Sequence, residues 1–471
     1  MFRKSLFLGL TILLLSFTAV LAQGDLIELR QWATSATASS QYGDTSWSAM
    51  QATGAPNSFM CGDLVTAWAS ATSTEEASLT VMFDVPVIPS QVNIHQSYNP
   101  GAITGIDLLP ADGSGAITVT DSGDPGGGPC PGVLTIDILG EAPPINGVTI
   151  YLDQSITNNW NEIDAVELVG MAEPGVEISM WAEHAEATSQ YGDNAWSAAQ
   201  VMGAPDTAEC GDFGTAWASQ DSNGQDELWV FFPHVVIPTR LDIYQTYNPG
   251  AITGVDLIQP DGSLLPVTNS ADPGVPCPGT MVLDIETDAM AIGAVIYLDQ
   301  RITKNWNEID AVQMTGRLAF DGLLRQWASD ASATSEYGDS NYSALQATGA
   351  PNTRGCGNAI TAWASATADG QESLTVTFDE AVIPISVEIY QTYNPGAITG
   401  IELIAADGSG AITVTDSGDP GNVPCPGVLT IDILGDAPPV NGVTIHLDQS
   451  LINDWNEIDA VRLIGRPVSS K

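Results

Sequence analysis

Glu162 and Asp164 stand two residues apart in the stretch Trp160-Asn161-Glu162-Ile163-Asp164-Ala165-Val166. The same stretch returns with Glu308 and Asp310, and again with Glu457 and Asp459. On a strand, residues two apart share a face. Glu162, Asp164, Val166 and Leu168 are therefore expected on one side, and Ile163, Ala165 and Glu167 on the other. Position 167 changes to Gln313 and then to Arg462, the drift expected of a solvent position, whereas the two carboxylates never change. A carboxylate on a core-facing side needs hydrogen bonds, a basic partner or a metal. Calcium, which takes six to eight oxygens, is the natural cation for such a place. The alternative is a carboxylate bonded to loop amides, or to the indole N–H of Trp68 or Trp160.

A second group of side chains suits binding. Tyr42 and Asp44 precede Trp47, Tyr191 and Asp193 precede Trp196, and Tyr337 and Asp339 precede Tyr342. A loop aromatic with a carboxylate can stack on a sugar face while accepting its hydroxyl hydrogens; the plainer reading is that these rings plug the end of a sandwich. Tyr98 and Asn99, Tyr247 and Asn248, and Tyr393 and Asn394 each lead into Pro-Gly. Pro followed by Gly suits a tight turn, with Tyr and Asn at the border of a pocket. Catalysis has little support. His95, His184, His234 and His446 fall at unmatched positions, and no nucleophile elbow or phosphate loop is present. Two carboxylates on one strand lie ~7 Å apart by rise alone, but three copies of a hydrolase without a long cleft would be unusual. The chain reads as a non-enzyme.

These residues sit in three copies of one unit of about 147 residues, a domain array by its period. Boundaries are expected at 26–170, 176–317 and 322–466, with short joints between them. Residues 1–22 read as a signal peptide: Arg3 and Lys4, an apolar run, then Val20-Leu21-Ala22. The formal net charge is −45, with 57 Asp and Glu against 12 Lys and Arg. Such a charge repels nucleic acid and anionic lipid, favours solubility and attracts cations. No second membrane-length apolar run follows, so the mature protein is expected to be secreted or otherwise extracytoplasmic, without membrane insertion. The six cysteines fall two per copy at matching spacing. In an oxidising compartment that implies Cys61–Cys130, Cys210–Cys277 and Cys356–Cys425.

Within a copy the apolar rhythm has a period of two, as in Leu79, Val81 and Phe83, then Val92 and Ile94. Turns rich in Gly, Pro, Asp and Asn separate the runs. The expected fold is all-β: three tandem antiparallel jelly-roll β-sandwiches, with irregular loops over 33–70 and no long helix.

The opening Ala38-Ser39-Ser40-Gln41-Tyr42-Gly43, then Trp47-Ser48-Ala49 and Thr66-Ala67-Trp68, resembles the discoidin family (coagulation factor 5/8 type C, galactose-binding-like). The Tyr98-Asn99-Pro100-Gly101-Ala102 motif and the closing Trp160 to Val166 strengthen the resemblance, and all recur in each copy. It implies an eight-stranded jelly roll whose end loops bind glycans, lipid head groups or proteins, in modules that are themselves noncatalytic. It also implies that the glutamate matching Glu162 is a calcium ligand, as in carbohydrate-binding relatives. Further oxygens would come from Asn57, Asp206 and Asn352, which follow Gly-Ala-Pro in the early loop. This chain departs from the family in lacking basic and bulky apolar spikes for lipid, and in carrying Thr-Gly or Met-Gly where the family has Asp-Gly. The resulting expectation is an exported, noncatalytic, multivalent binder of extracellular glycan. Its rival is a structural or adhesive envelope protein whose domains are calcium-stabilised spacers.

Overall fold

The computed structural model describes residues 26–468 except 59, 158, 354 and 422; the expected signal peptide lies outside them. In the first domain the strands are β1 (Ile27–Trp32), β2 (Ser35–Ala38), β3 (Glu76–Tyr98) and β4 (Ile103–Pro110). They continue as β5 (Ile117–Thr118), β6 (Gly132–Asp137), β7 (Ile145–Asp153) and β8 (Glu162–Ala172). All pairings are antiparallel. Among the described residues no helix exceeds four residues.

The long strand β3 builds both layers. Its first half pairs with β2 and β7, and through β7 with β4 and β5. Its second half pairs with β6 and β8, and through β8 with β1. The register shifts between Met82 and Val87, where Pro86 interrupts the ladder and the strand passes from one layer to the other. Between the layers Leu79, Val81, Val92, Ile94, Ile106 and Ile150 are almost fully buried. The fully buried Trp68 closes this core at one end, its backbone bridging to Ile163. The second and third domains repeat the topology, with Gln225–Tyr247 and Gln371–Tyr393 in the place of β3.

All three expected disulfides are present: Cys61–Cys130, Cys210–Cys277 and Cys356–Cys425. Each ties the early loop to the segment before β6 or its counterpart.

Strand β8 departs from simple alternation. His95 opposes Ala165, Gln96 opposes Ile163 and Tyr98 opposes Glu162, so Asp164 and Ser97 fall out of the ladder. The irregularity returns at Asp310 and at Asp459. It resets the rhythm: Ile163, Val166 and Leu168 join the core, although the sequence put Ile163 on the opposite face. Glu162 and Asp164 are buried, at 1% and 3% exposure, but under the early loop instead of on the core face. Position 462 is a second correction. Arg462 is 8% exposed, so its drift is not that of a solvent residue.

Candidate functional site

The early loop and the start of β8 meet at one end of each sandwich. Asp164 Oδ2 accepts the backbone N–H groups of Asn57 and Ser58, each at 3.0 Å. Glu162 Oε2 accepts Leu64 N–H at 3.1 Å. Asp310 takes Thr207 N–H and Glu308 takes Phe213 N–H. Asp459 takes Asn352 and Thr353 N–H, and Glu457 takes Ala359 N–H. The carboxylates are therefore clasps that hold the early loop on the closing strand. The indoles of Trp68 and Trp160 serve elsewhere, donating to Ser40 O and Ser70 O.

Burial raises the proton affinity of these groups. Glu162 and Glu308 are pushed up to about 8 by desolvation, against the pull of the loop N–H, and a neighbouring aspartate adds to the rise. Desolvation lifts Glu457 to about 7, Asp459 to about 7 and Asp310 to about 6, and raises Asp164. One oxygen each of Asp164, Asp310 and Glu457 is buried without a hydrogen-bond partner. A neutral carboxyl suits such an oxygen better than a charged one.

For a calcium ion, the two carboxylates of each domain would have to be joined by backbone carbonyls or waters. Each pair offers two carboxylates to an ion that takes six to eight oxygens, and the loop meets both with amide N–H groups. Asn57 and Asn352, expected as oxygen donors, enter through their backbone N–H, and Asp206 lies beside Asp310 and adds to its proton affinity. Among the described residues no group of three or more His, Cys, Asp or Glu is arranged to hold a metal.

The aromatic residues form a platform at the same end. Tyr42 sits between Trp47 and Trp160, with ring centroids 5.5 and 5.4 Å away and both contacts edge-on. Tyr191 sits in the same way between Trp196 and Trp306, and Tyr337 between Tyr342 and Trp455. The three tyrosines are 57%, 56% and 58% exposed, so they are not core plugs; Trp68, Trp217 and Trp363 have that role at 0%. Trp47, Trp196 and Tyr342 all adopt positive φ, a backbone conformation uncommon for residues other than glycine.

Beside the platform Trp47 Nε1 donates to Asp63 Oδ1 at 2.8 Å, and the negative charge of Asp63 adds to the proton affinity of Glu162. Trp196, Asp212 and Glu308 repeat the chain. In the third domain the Tyr342 hydroxyl donates to Asn358. Sequence reasoning missed Asp63, Asp212 and Asn358. A signal existed: Trp, Trp and Tyr at one position go with Asp, Asp and Asn sixteen residues on. It also left Trp160, Trp306 and Trp455 out of the binding set, although their recurrence was visible.

Asp44, Asp193 and Asp339 are near this platform in sequence; Gln41 and Gln190 donate to the first two. Tyr98 and Asn99 are drawn into the supporting structure. Asn159 donates to the Tyr98 hydroxyl at 2.8 Å, and Asn305 does the same for Tyr247. Tyr393 donates to Asp454 and Asn394 to Asn453 O. Asn99, Asn248 and Asn394 hold positive φ at the entrance to the Pro-Gly turn. The buried pair Gln154 and Asn161 fixes this corner: Gln154 accepts Asn161 N–H at 2.8 Å, and Asn161 accepts Ala102 N–H at 3.1 Å. Trp160 is thereby held between two anchored neighbours, with its ring T-shaped to Tyr42.

No curated protein sequence matches the chain. Solved structures similar to it include a fucolectin from striped bass (Morone saxatilis) serum, 13% identical with a TM-score of 0.25, covering 62% of this chain and 100% of that one. Allantoicase from Saccharomyces cerevisiae is 12% identical with a TM-score of 0.36, covering 61% and 90%. The family 32 carbohydrate-binding module of C. perfringens NanJ, in complex with galactose, is 16% identical with a TM-score of 0.23, covering 29% and 99%. The family model described as pappalysin-1, SD scarf domain, C-terminal, matches residues 25–180, 173–320 and 316–471. Three successive matches span the repeated sandwiches from end to end, and the chain belongs to the family of the pappalysin-1 C-terminal SD scarf domain.

Proposed function

We propose that the protein is an exported, noncatalytic and multivalent glycan binder, with one aromatic platform per domain. The observation that carries this reading is the exposed tyrosine held edge-on between two other aromatic rings, at nearly equal exposure in all three domains. An exposed ring braced by two neighbouring rings is a surface on which the C–H face of a sugar can stack. Asp44 and Asp63, both exposed, supply acceptors for sugar hydroxyls at the rim. Three disulfides favour an oxidising, extracytoplasmic setting. Among the described residues no helix is long and apolar enough to cross a membrane.

A noncatalytic role is supported by the state of the recurring carboxylates. Glu162 and Asp164 are buried and committed to loop amides, so neither is free to meet a substrate. The test is a glycan array probed with the labelled mature chain and with the Tyr42→Ala/Tyr191→Ala/Tyr337→Ala variant. Saturable binding by the parent that the variant loses is expected. No retained glycan, or equal retention by both proteins, would overturn the reading.

A further inference from the structure

The second and third domains meet along a seam whose charged clamp, Arg462 with Glu183, has no counterpart in the other copies. The Arg462 guanidinium lies 2.7 Å from Glu388 in its own domain and 3.3 Å from Glu183 of the second domain. It also stacks 4.8 Å from the centre of the Trp327 ring. Tyr390 packs edge-on against both Trp327 and His184, at 5.1 and 5.4 Å. The positions matching Arg462 hold Glu167 and Gln313, and those matching Glu183 hold Thr34 and Ser329. Only this pair of domains has both halves of the clamp. The group is well buried, with 10% exposure of the Arg462 side chain and 14% of Glu183.

The seam continues to the second domain's platform. A narrow cleft between the domains is lined by Ala199, Met202, Pro351, Thr353 and Asp459. Beyond it the Cys356 backbone N–H donates to the Asp193 carbonyl at 3.1 Å. Asp193 lies between Tyr191 and Trp196, in the turn that carries the platform. Gly355 presses on the next residue: a Cβ there would lie 2.3 Å from Asn194 Oδ1 and 3.2 Å from its Cγ. The other copies hold Met60 and Glu209 at this position, both exposed. Glycine thus stands where a neighbouring domain comes close, and bulkier residues stand where the side chain is exposed.

Resting on the glycan reading above, we propose that the second domain's platform is a composite site, completed by the third domain's turn at Gly355 and Cys356. An isolated exposed ring offers one face to one sugar. A ring beside a wall from another domain forms a groove, and a groove favours an oligosaccharide over a single terminal sugar. The Arg462 clamp holds that wall in place and acts as a positioning element remote from the ligand.

The test uses the full mature chain with Tyr42→Ala and Tyr337→Ala, so that only the second platform is intact, against immobilised oligosaccharides of one to six sugars. Affinity is expected to rise about tenfold with length, and that gain to shrink to about threefold or less in Gly355→Leu and in Arg462→Gln. Hydrogen exchange without ligand is the second readout: Arg462→Gln should speed exchange at 191–196 and 355–357 and leave 42–47 unchanged. Binding without length dependence, or a length dependence untouched by both variants, overturns the composite site and leaves the glycan reading standing. No binding of any glycan by the unaltered chain overturns both. Unchanged exchange in Arg462→Gln overturns the clamp.

Discussion

On the proposed reading, Tyr42 is the residue on which the first domain's binding turns. Its ring lies T-shaped to both Trp47 and Trp160, and more than half of the residue is exposed. Tyr42→Ala is expected to leave the thermal midpoint within a few degrees of the parent and to remove the first domain's share of glycan binding, as read by titration alongside a melting curve. Glu162 supports a different prediction. Its carboxyl is held at about 8 in the folded chain against an ordinary value of 4.5, so the folded state binds the proton more tightly than the unfolded state. That contribution to stability is fully present below about pH 4.5 and is lost as pH rises through about 8. Glu308 at about 8 and Glu457 at about 7 act in the same direction. The thermal midpoint should therefore fall between pH 5 and 9. A variant with Glu162→Gln, Glu308→Gln and Glu457→Gln should show a flatter profile, and an equal slope in parent and variant would contradict the assignment.

At the scale of elements, the early loop is an irregular segment fastened at three kinds of point. Carboxylates hold its amides, a disulfide holds its cysteine, and Trp68 anchors its far end in the core. The bridge Cys61–Cys130 closes a loop of 69 residues, so reducing it should destabilise that domain by about 4 kcal/mol in the chain-entropy picture. Melting curves with and without reductant measure the loss. A chelator separates the two readings of the carboxylates: an unchanged midpoint is expected if loop amides alone hold them, and a drop on chelation would support the calcium reading. The disulfide pairing was legible in the sequence because one spacing occurs three times. The strand runs were legible because Leu79, Val81 and Phe83 face a single core. The continuity of β3 was hidden because Leu79 to Phe83 and Val92 to Ile94 read as separate runs, and Pro86 lies between them where the strand changes layers. The bulge at Asp164 was hidden for a related reason. Alternation assumes a regular ladder, and only the partner strand, far off in sequence, reveals the skipped residue. Trp47 and Asp63 are sixteen residues apart in loops, where no periodicity links them, and only comparison of the three copies could have joined them.

For the whole molecule, contacts between domains decide how the platforms are presented. The second and third domains are clamped through Arg462, and Arg30 of the first domain comes within 3.7 Å of Asp379 of the third. Few basic residues are available in a chain of net charge −45, and Arg30 and Arg462 both lie at contacts between domains. On the proposed reading, domains held together in this way would present their platforms at fixed separations, and weak single sites would then gain in avidity on a repeating ligand. Removing one platform should cost more than a third of the binding to a densely coated surface, and about a third of the capacity for a short soluble glycan, as surface-plasmon and calorimetric titrations would show. The most direct measurement is the calorimetric stoichiometry of a short glycan that the mature chain retains on an array. Three sites per chain are expected, falling to two, one and none as Tyr42→Ala, Tyr191→Ala and Tyr337→Ala are added in turn. A stoichiometry that ignores these substitutions would contradict the central claim that the exposed tyrosines are the binding sites.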